Sequence, residues 1–139
     1  MIATTSSKIQ VEVRQAVDQD RQRLANLVHF EMHVHRHLDW QTPLDWIGRQ
    51  PFLVGLQGNE LVGALASPID PPGTAWLRLF AATNHADLEQ LWSLLWAQAR
   101  FHLSSQPNCN AAAIPLQGWM VELLLGSGFT HANDVILLM

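Results

Sequence analysis

The sequence predicts a single α+β domain. Two patterns predict this fold class: apolar residues alternate with polar ones in some short segments, as in half-buried strands, and recur at steps of three and four in others, as in amphipathic helices. The chain has 139 residues, of which 48% are hydrophobic, so it is long enough to bury one core and too short for two independent domains. We therefore expect one domain over residues 9–139, after a small, polar, disordered leader at residues 1–8.

The N-terminal third predicts one strand and two helices. Apolar and polar residues alternate over residues 9–14, which indicates a half-buried strand. Asp18 and Asp20 precede leucines at helical spacing, so we expect a helix that begins there and continues through the histidine-rich segment. Thr42 and Pro43 are typical of an N-cap and a first helical turn, and they predict a short second helix.

The middle of the chain predicts three antiparallel strands. Residues 51–57 and 60–67 are apolar runs separated by a Gly-Asn pair, which is a loop composition that suits a β-hairpin. A break rich in proline and glycine follows, and residues 75–82 then form a third apolar run. We expect this run to be the next strand of the same meander.

The C-terminal half predicts two helices and two strands. From Asp87 onwards, apolar residues at steps of three and four give the clearest helix pattern in the chain. We expect a buried strand at residues 111–116, a short helix at residues 119–125 that ends near a glycine, and a final strand at residues 135–139. The predicted order of elements is βααβββαβαβ.

Composition and charge argue against several classes of partner. The formal net charge is -4, and the eight Lys and Arg residues are scattered singly, so they form no basic stripe for nucleic-acid phosphates. The single cysteine, Cys109, excludes an internal disulfide and a cysteine-based metal cluster. The sequence contains neither a signal-peptide pattern nor a run of about eighteen apolar residues. We expect a cytoplasmic protein that binds neither nucleic acid nor a membrane.

Three histidines, His29, His33 and His37, follow one another at steps of four residues, so a continuous helix would place them on one face. Two histidines at this spacing can bind zinc, but the segment HFEMH has its Glu in the third position and does not match the HExxH motif. Polar helix surface, contact with a substrate and a pH-sensitive contact stay open as alternatives. We expect no metal site.

Three stretches of the sequence are similar to motifs of the GNAT superfamily of acyl-CoA-dependent N-acyltransferases. VEVRQAVDQDRQRLANL resembles the first strand and helix of the family, where Arg14 ends the strand and Asp20 begins the helix. PFLVGLQGNELVGALAS resembles the second and third strands, with the small-residue pair Val62 and Gly63. QGWMVELLLGSGF resembles a helix that begins after Gln117 and closes on Gly-Phe. Together with the element order, the resemblance covers nearly the whole chain.

The resemblance implies a mixed, strongly twisted sheet flanked by helices. In this family the fourth and fifth strands diverge and leave a V-shaped cleft for the pantetheine arm of acetyl-CoA. The matching strands here are residues 76–82 and 111–116. The backbone N–H groups of Phe80, Ala81 and Ala82 would then polarise the thioester carbonyl.

The family also implies a site for the pyrophosphate of the cofactor, a glycine-rich turn with basic residues at a helix N-terminus. The matching turn, residues 83–87, contains no glycine, Arg or Lys. Thr83, Asn84 and Gln117 are therefore the remaining candidates for cofactor contact. Because Asp87 places a carboxylate where the phosphate would bind, we expect weak or absent acetyl-CoA binding.

The candidates for proton transfer are His85 and Glu60. The family often protonates the leaving thiolate with a tyrosine, but Leu124 stands at the matching position and the chain contains no tyrosine. The resemblance places Trp40 and Trp46 on the acceptor side of the cleft. His33 is the third candidate for substrate contact.

The function that the resemblance implies is acetyl transfer from acetyl-CoA to an unknown amine, either a small molecule or a peptide. Two alternatives stay open. One is a catalytically degenerate domain that binds a ligand or a protein, for example as half of a tandem pair, and the other is a metal-binding helical module. Because GNAT folds usually continue past the strand that VILLM matches, we also expect a homodimer or a partner strand at an exposed C-terminal edge.

Overall fold

Within residues 10–38, 41–132 and 135–138, which the computed structural model describes, the chain forms three α-helices and nine β-strands. The helices are α1 (Arg21–Phe30), α2 (Leu88–Leu103) and α3 (Gly118–Gly126), with short 3-10 helices at Asp18–Asp20 and Pro43–Trp46. The strands are β1 (Glu12–Gln15), β2 (His33–Arg36), β3 (Phe52–Gln57), β4 (Glu60–Ala66), β5 (Thr74–Trp76), β6 (Leu79–Ala82), β7 (Asn110–Ala113), β8 (Thr130–Ala132) and β9 (Val135–Leu138).

The strands form two sheets. The five-stranded sheet has the order β1-β3-β4-β6-β2 and is antiparallel, whereas the four-stranded sheet has the order β5-β7-β9-β8 and includes the parallel pair β5–β7. Leu24 and Leu27 of α1 pack on one face of the five-stranded sheet, and Leu91 and Leu95 of α2 pack on the other. The chain is therefore an α+β domain with strands flanked by helices, as the sequence predicts.

Several local predictions are confirmed. Arg14 at the end of β1 donates two hydrogen bonds of 2.8 Å to the carboxylate of Asp20, which holds the start of the first helix against the sheet. The hydrogen bonds from Arg14 lower the pKa of this buried carboxyl to about 2. The predicted hairpin is β3 and β4, and Gly58 supplies the positive φ of 61° in its turn.

The prediction of one continuous helix through the histidine-rich segment is wrong. α1 ends before Glu31, which is extended, and His33–Arg36 form β2, antiparallel to β6. The physical reason is the pairing itself: the edge of β6 offers backbone N–H and C=O groups that a strand satisfies and a helix cannot. His29, on α1, therefore does not share a helical face with His33 and His37.

The strand predicted over residues 75–82 is in fact two strands. The chain leaves one sheet after β5 and enters the other as β6, with Leu77 and Arg78 between them. Arg78 is the one charged residue of this stretch, but the residues on both sides of it are apolar and largely buried, so the pattern does not reveal the change of sheet.

The prediction that the VILLM strand lies at an exposed edge is also wrong. β9 pairs with both β7 and β8, so the short strand β8 lies at that edge of the four-stranded sheet. We missed β8 because three residues are too few to give an alternating pattern. The predicted leader at residues 1–8, Trp40 and Met139 lie outside the described residues. None of the described helices combines the length and hydropathy needed to cross a membrane.

Candidate functional site

The two sheets separate at Leu77. Before this point β5 runs parallel to β7, from the pair Thr74–Asn110 to the pair Trp76–Ala112. The N–H group of Leu77 still donates to the carbonyl of Ala112 at 2.8 Å. From there the chain turns away from β7 and continues as β6 in the other sheet, so the divergence that the resemblance implies is present.

β2 lies along the edge of β6 that this divergence opens. His35 pairs with Phe80 and His33 with Ala82, and the N–H group of His37 donates to the carbonyl of Arg78 at 3.0 Å. Backbone groups alternate between the two sides of a strand, so those of Phe80 and Ala82 face β2. By the same alternation the backbone groups of Ala81, the third predicted cofactor contact, face β4.

The side chains of β2 fix it in this position. The imidazole Nε2 of His35 lies 3.1 Å from the carbonyl oxygen of Leu77, and the His35 residue is 1% exposed. Burial lowers the pKa of His35 to about 4, so the ring is neutral near pH 7 and Nε2–H is the donor to the Leu77 carbonyl. On the outer side of β2, Gln117 Nε2 donates to the carbonyl of Val34 at 3.1 Å.

The turn at residues 83–87 is stabilised by carboxylates. Glu31 Oε1 accepts a hydrogen bond from the N–H group of Asn84 at 3.1 Å. Asp87 Oδ1 accepts one from the N–H group of Gln90 at 3.0 Å and so caps α2. Two amides at the predicted pyrophosphate site are therefore already paired with acidic side chains of the chain itself.

The structure brings the two candidates for proton transfer together. His85 Nε2 lies 2.9 Å from Glu60 Oε2, and both side chains are more than half exposed. The sequence predicted each residue separately, and the β3–β4 turn places one beside the other. An open cavity of about 290 Å³ lies beside Glu60 on the α1 side, and Glu31, Leu27 and Thr83 are among the polar and apolar residues that line it.

The predicted substrate contacts differ in their surroundings. Trp46 is 5% exposed, and the guanidinium groups of Arg78 and Arg49 lie 4.6 and 5.0 Å from its ring. Trp46 therefore belongs to the core on the α1 side. His33 is half-buried, and its ring meets the edge of Trp119 with 5.1 Å between centroids. In the described part of the chain, no group of three His, Cys, Asp or Glu side chains is arranged to hold a metal ion.

Sequence reasoning missed β2 as part of this site, although a signal for it exists. His33, His35 and His37 recur at every second residue, around Val34 and Arg36. An interval of four residues fits the period of a strand as well as that of a helix.

Neither a protein-family model nor a curated protein matches the chain. Solved structures do match it. Ard1 from Thermoplasma volcanium has a TM-score of 0.70 and 14% identity, over 91% of this chain and 94% of that one. Arabidopsis thaliana Naa50, in complex with the bisubstrate analogue CoA-Ac-MVNAL, has a TM-score of 0.69 and 12% identity, over 88% and 85%.

A GNAT family acetyltransferase from Brucella melitensis, in complex with acetyl-CoA, has a TM-score of 0.63 and 11% identity, over 94% of this chain and 88% of that one. The TM-scores establish the fold. Because the sequence identities are this low, the activity must be argued from the site. The element order, the divergence at Leu77 and these three structures together show that the chain has the GNAT acyl-CoA N-acyltransferase fold.

Proposed function

We propose that this protein is an acyl-CoA-dependent N-acetyltransferase that acts on an amine. The observation that carries the proposal is the divergence of β6 from β7 after Leu77, which opens a gap between the two sheets that β2 occupies along the edge of β6. In this fold the gap suits the pantetheine arm, and the Brucella melitensis structure is a complex with acetyl-CoA. The Naa50 complex joins CoA to a peptide, which supports a small-molecule or peptide amine as the acceptor class.

Acetyl-CoA would supply the activated acyl group, and the chain would supply hydrogen bonds and a proton acceptor. The N–H groups of Phe80 and Ala82 are the donors proposed for the thioester carbonyl; that of Ala81 faces β4, so we propose no such role for it. The amine attacks the carbonyl carbon, an amide bond forms, and the CoA thiolate leaves. We assign the amine proton to His85, which Glu60 orients through their 2.9 Å contact, and the thiolate takes a proton from solvent.

Thr83, Asn84 and Gln117 are kept as proposed cofactor contacts, with weak affinity. The carboxylates of Glu31 and Asp87 already accept hydrogen bonds at the turn, and their negative charge opposes that of a pyrophosphate. We expect a Kd for acetyl-CoA weaker than about 100 μM, which corresponds to roughly 5.5 kcal/mol of binding free energy.

A second candidate function is a degenerate GNAT domain that binds a ligand or a protein. The occupation of the β6 edge by β2 favours it, as does Leu124 at the position where the family often has a tyrosine. A partner that adds a strand to the four-stranded sheet would pair with the edge strand β8. A cytoplasmic location stays a prediction.

The experiment that separates the two functions is an assay of CoA thiol release by the full chain, with acetyl-CoA and a panel of primary amines and N-terminal peptides. Transfer should occur, His85→Gln should lower kcat about 100-fold, and Glu60→Gln should lower it about tenfold. Glu122→Gln, on the exposed side of α3, is the control and should leave kcat unchanged. Binding of acetyl-CoA without turnover of any amine would favour the degenerate domain.

A further inference from the structure

The segment of residues 31–37, which we call the strap, makes backbone and side-chain contacts with every part of the proposed cofactor site. Its Glu31 carboxylate accepts from the N–H group of Asn84 in the turn. Its strand, β2, pairs with β6 through Phe80 and Ala82. Its Val34 carbonyl accepts from Gln117, the residue before α3.

From this arrangement we propose that the strap is an internal competitor of acetyl-CoA, which must leave the edge of β6 before the cofactor can bind. The inference rests on the proposed function and adds its regulation. It follows from the chemistry of the two occupants: a pantetheine arm carries two amide groups, and a strand edge pairs with amides in the same way whether they belong to a ligand or to a peptide. Both occupants need the outward N–H and C=O groups of Phe80 and Ala82.

The strap has the features of a removable element. It includes only four residues of strand, and it lies at the edge of the five-stranded sheet, so its release would break no other strand pair. The apolar side chains that flank β2, Phe30, Met32 and Leu38, are all more than 60% exposed and gain little burial in the closed arrangement. The burial of His35 opposes release of the strap from β6. The form in which the strap is paired with β6 is therefore the resting one.

A reversible lock tests the proposal. Val34 and Ala81 are directly opposite each other, and the alternation set by the His37–Arg78 bond makes them a non-hydrogen-bonded pair, the geometry that a disulfide between strands requires. Both side chains belong to the same cluster on the α1 side. We would combine Val34→Cys and Ala81→Cys with Cys109→Ser, and titrate acetyl-CoA into the oxidised and reduced forms of the same protein by calorimetry.

A release variant tests the opposite direction. His33→Pro removes the N–H group that faces Ala82, whereas His33→Ala removes only the ring, and Arg36→Pro places a proline where the N–H group faces away from β6. Hydrogen exchange at Phe80 and Ala82 reports whether the strap has left. It should become faster in His33→Pro and stay slow in both controls.

The apparent affinity equals the intrinsic affinity multiplied by the open fraction, so locking and release should move it in opposite directions. We expect the disulfide between the strap and β6 to weaken acetyl-CoA binding at least about tenfold, and its reduction to restore the affinity. His33→Pro should tighten acetyl-CoA binding at least about tenfold. Equal affinities in the oxidised, reduced and His33→Pro proteins would show that the strap does not compete with acetyl-CoA. The proposed function would not be affected by that result. If no form binds acetyl-CoA at millimolar concentration, the proposed function fails and the inference fails with it.

Discussion

His35 lies at the fork between the two sheets, where its ring contacts the carbonyl of Leu77 and the residue is almost wholly buried. A buried imidazole is stable in its neutral form, because protonation would place a charge where water cannot solvate it. Of the seven histidines in the chain, this one therefore acts as a core residue and couples the position of β2 to pH.

We predict that acid weakens the fold through His35. Its pKa falls from 6.5 to about 4 on folding, so between these pH values the unfolded chain binds more protons than the folded one. The stability that neutral His35 contributes is complete above about pH 6.5 and is lost as the pH falls towards 4, a change of roughly 3 kcal/mol. Urea unfolding of the wild type and His35→Gln at a series of pH values measures it.

The glutamine variant serves as the reference because its side-chain amide can still donate to Leu77 but does not titrate. The difference between the two free energies of unfolding should shrink as the pH falls through this range. Gln106→Ala, at an exposed position that does not titrate, should show no such change relative to the wild type. Parallel pH curves for the wild type and His35→Gln would contradict the neutral, buried ring.

At the scale of elements, the close packing of α2 on the sheet explains the small-residue pair in β4. A Cβ atom on Gly63 would collide with the side chain of Leu91, and one on Gly55 would lie 3.0 Å from the same residue. These glycines let the helix approach the strands, so they are fixed by packing and not by backbone conformation.

We predict that Gly63→Ala lowers the free energy of unfolding by about 1 to 3 kcal/mol, because Leu91 must shift inside a filled core. Gly126→Ala in α3 is the matched control, since nothing lies within 4 Å of the added methyl group. It should be neutral or stabilise the fold slightly. Denaturant titration measures the free energy of unfolding of both variants. Equal values would show that α2 does not pack as closely on the sheet as described.

A second prediction at this scale concerns Asp87, the residue that caps the start of α2. Asp87→Asn keeps an oxygen that can cap the helix but removes the negative charge, and Asp87→Gly removes both. Because a charge at a helix N-terminus is worth about 0.3 to 1 kcal/mol, each variant should bind acetyl-CoA up to roughly fivefold more tightly than the wild type. Calorimetry that finds unchanged or weaker affinity in both variants would contradict an electrostatic origin of the weak binding.

The elements that the sequence predicts correctly are those with long periodic patterns. α2 has sixteen residues with a buried stripe, and β3 and β4 are apolar runs joined by a turn. β2 was missed because four-residue spacing is compatible with both periods, and its identity as a strand depends on β6, more than forty residues away. In the same way, His85 and Glu60 were each predicted, but their contact depends on strand register.

At the scale of the whole molecule, one stretch of chain joins the two sheets. Residues 74–82 begin beside β7 and end beside β2, so this stretch belongs to both sheets and fixes the point at which they separate. Backbone donors and strand divergence do not depend on particular side chains, which explains how the chain keeps this fold at 11 to 14% identity to the three structures described. The glycine-rich turn and the tyrosine of the family depend on side-chain identity, and this chain has neither.

We predict that acetyl-CoA binds where β6 and β7 diverge. An NMR titration of the unmodified chain with acetyl-CoA, followed through the backbone amide signals, tests it most directly. We expect weak binding, with the largest shifts in β2, β6, β7 and residues 83–87, which lie around the point of divergence. Amide signals that stay unchanged at millimolar acetyl-CoA, or that move only on the face of the sheet covered by α1, would contradict it.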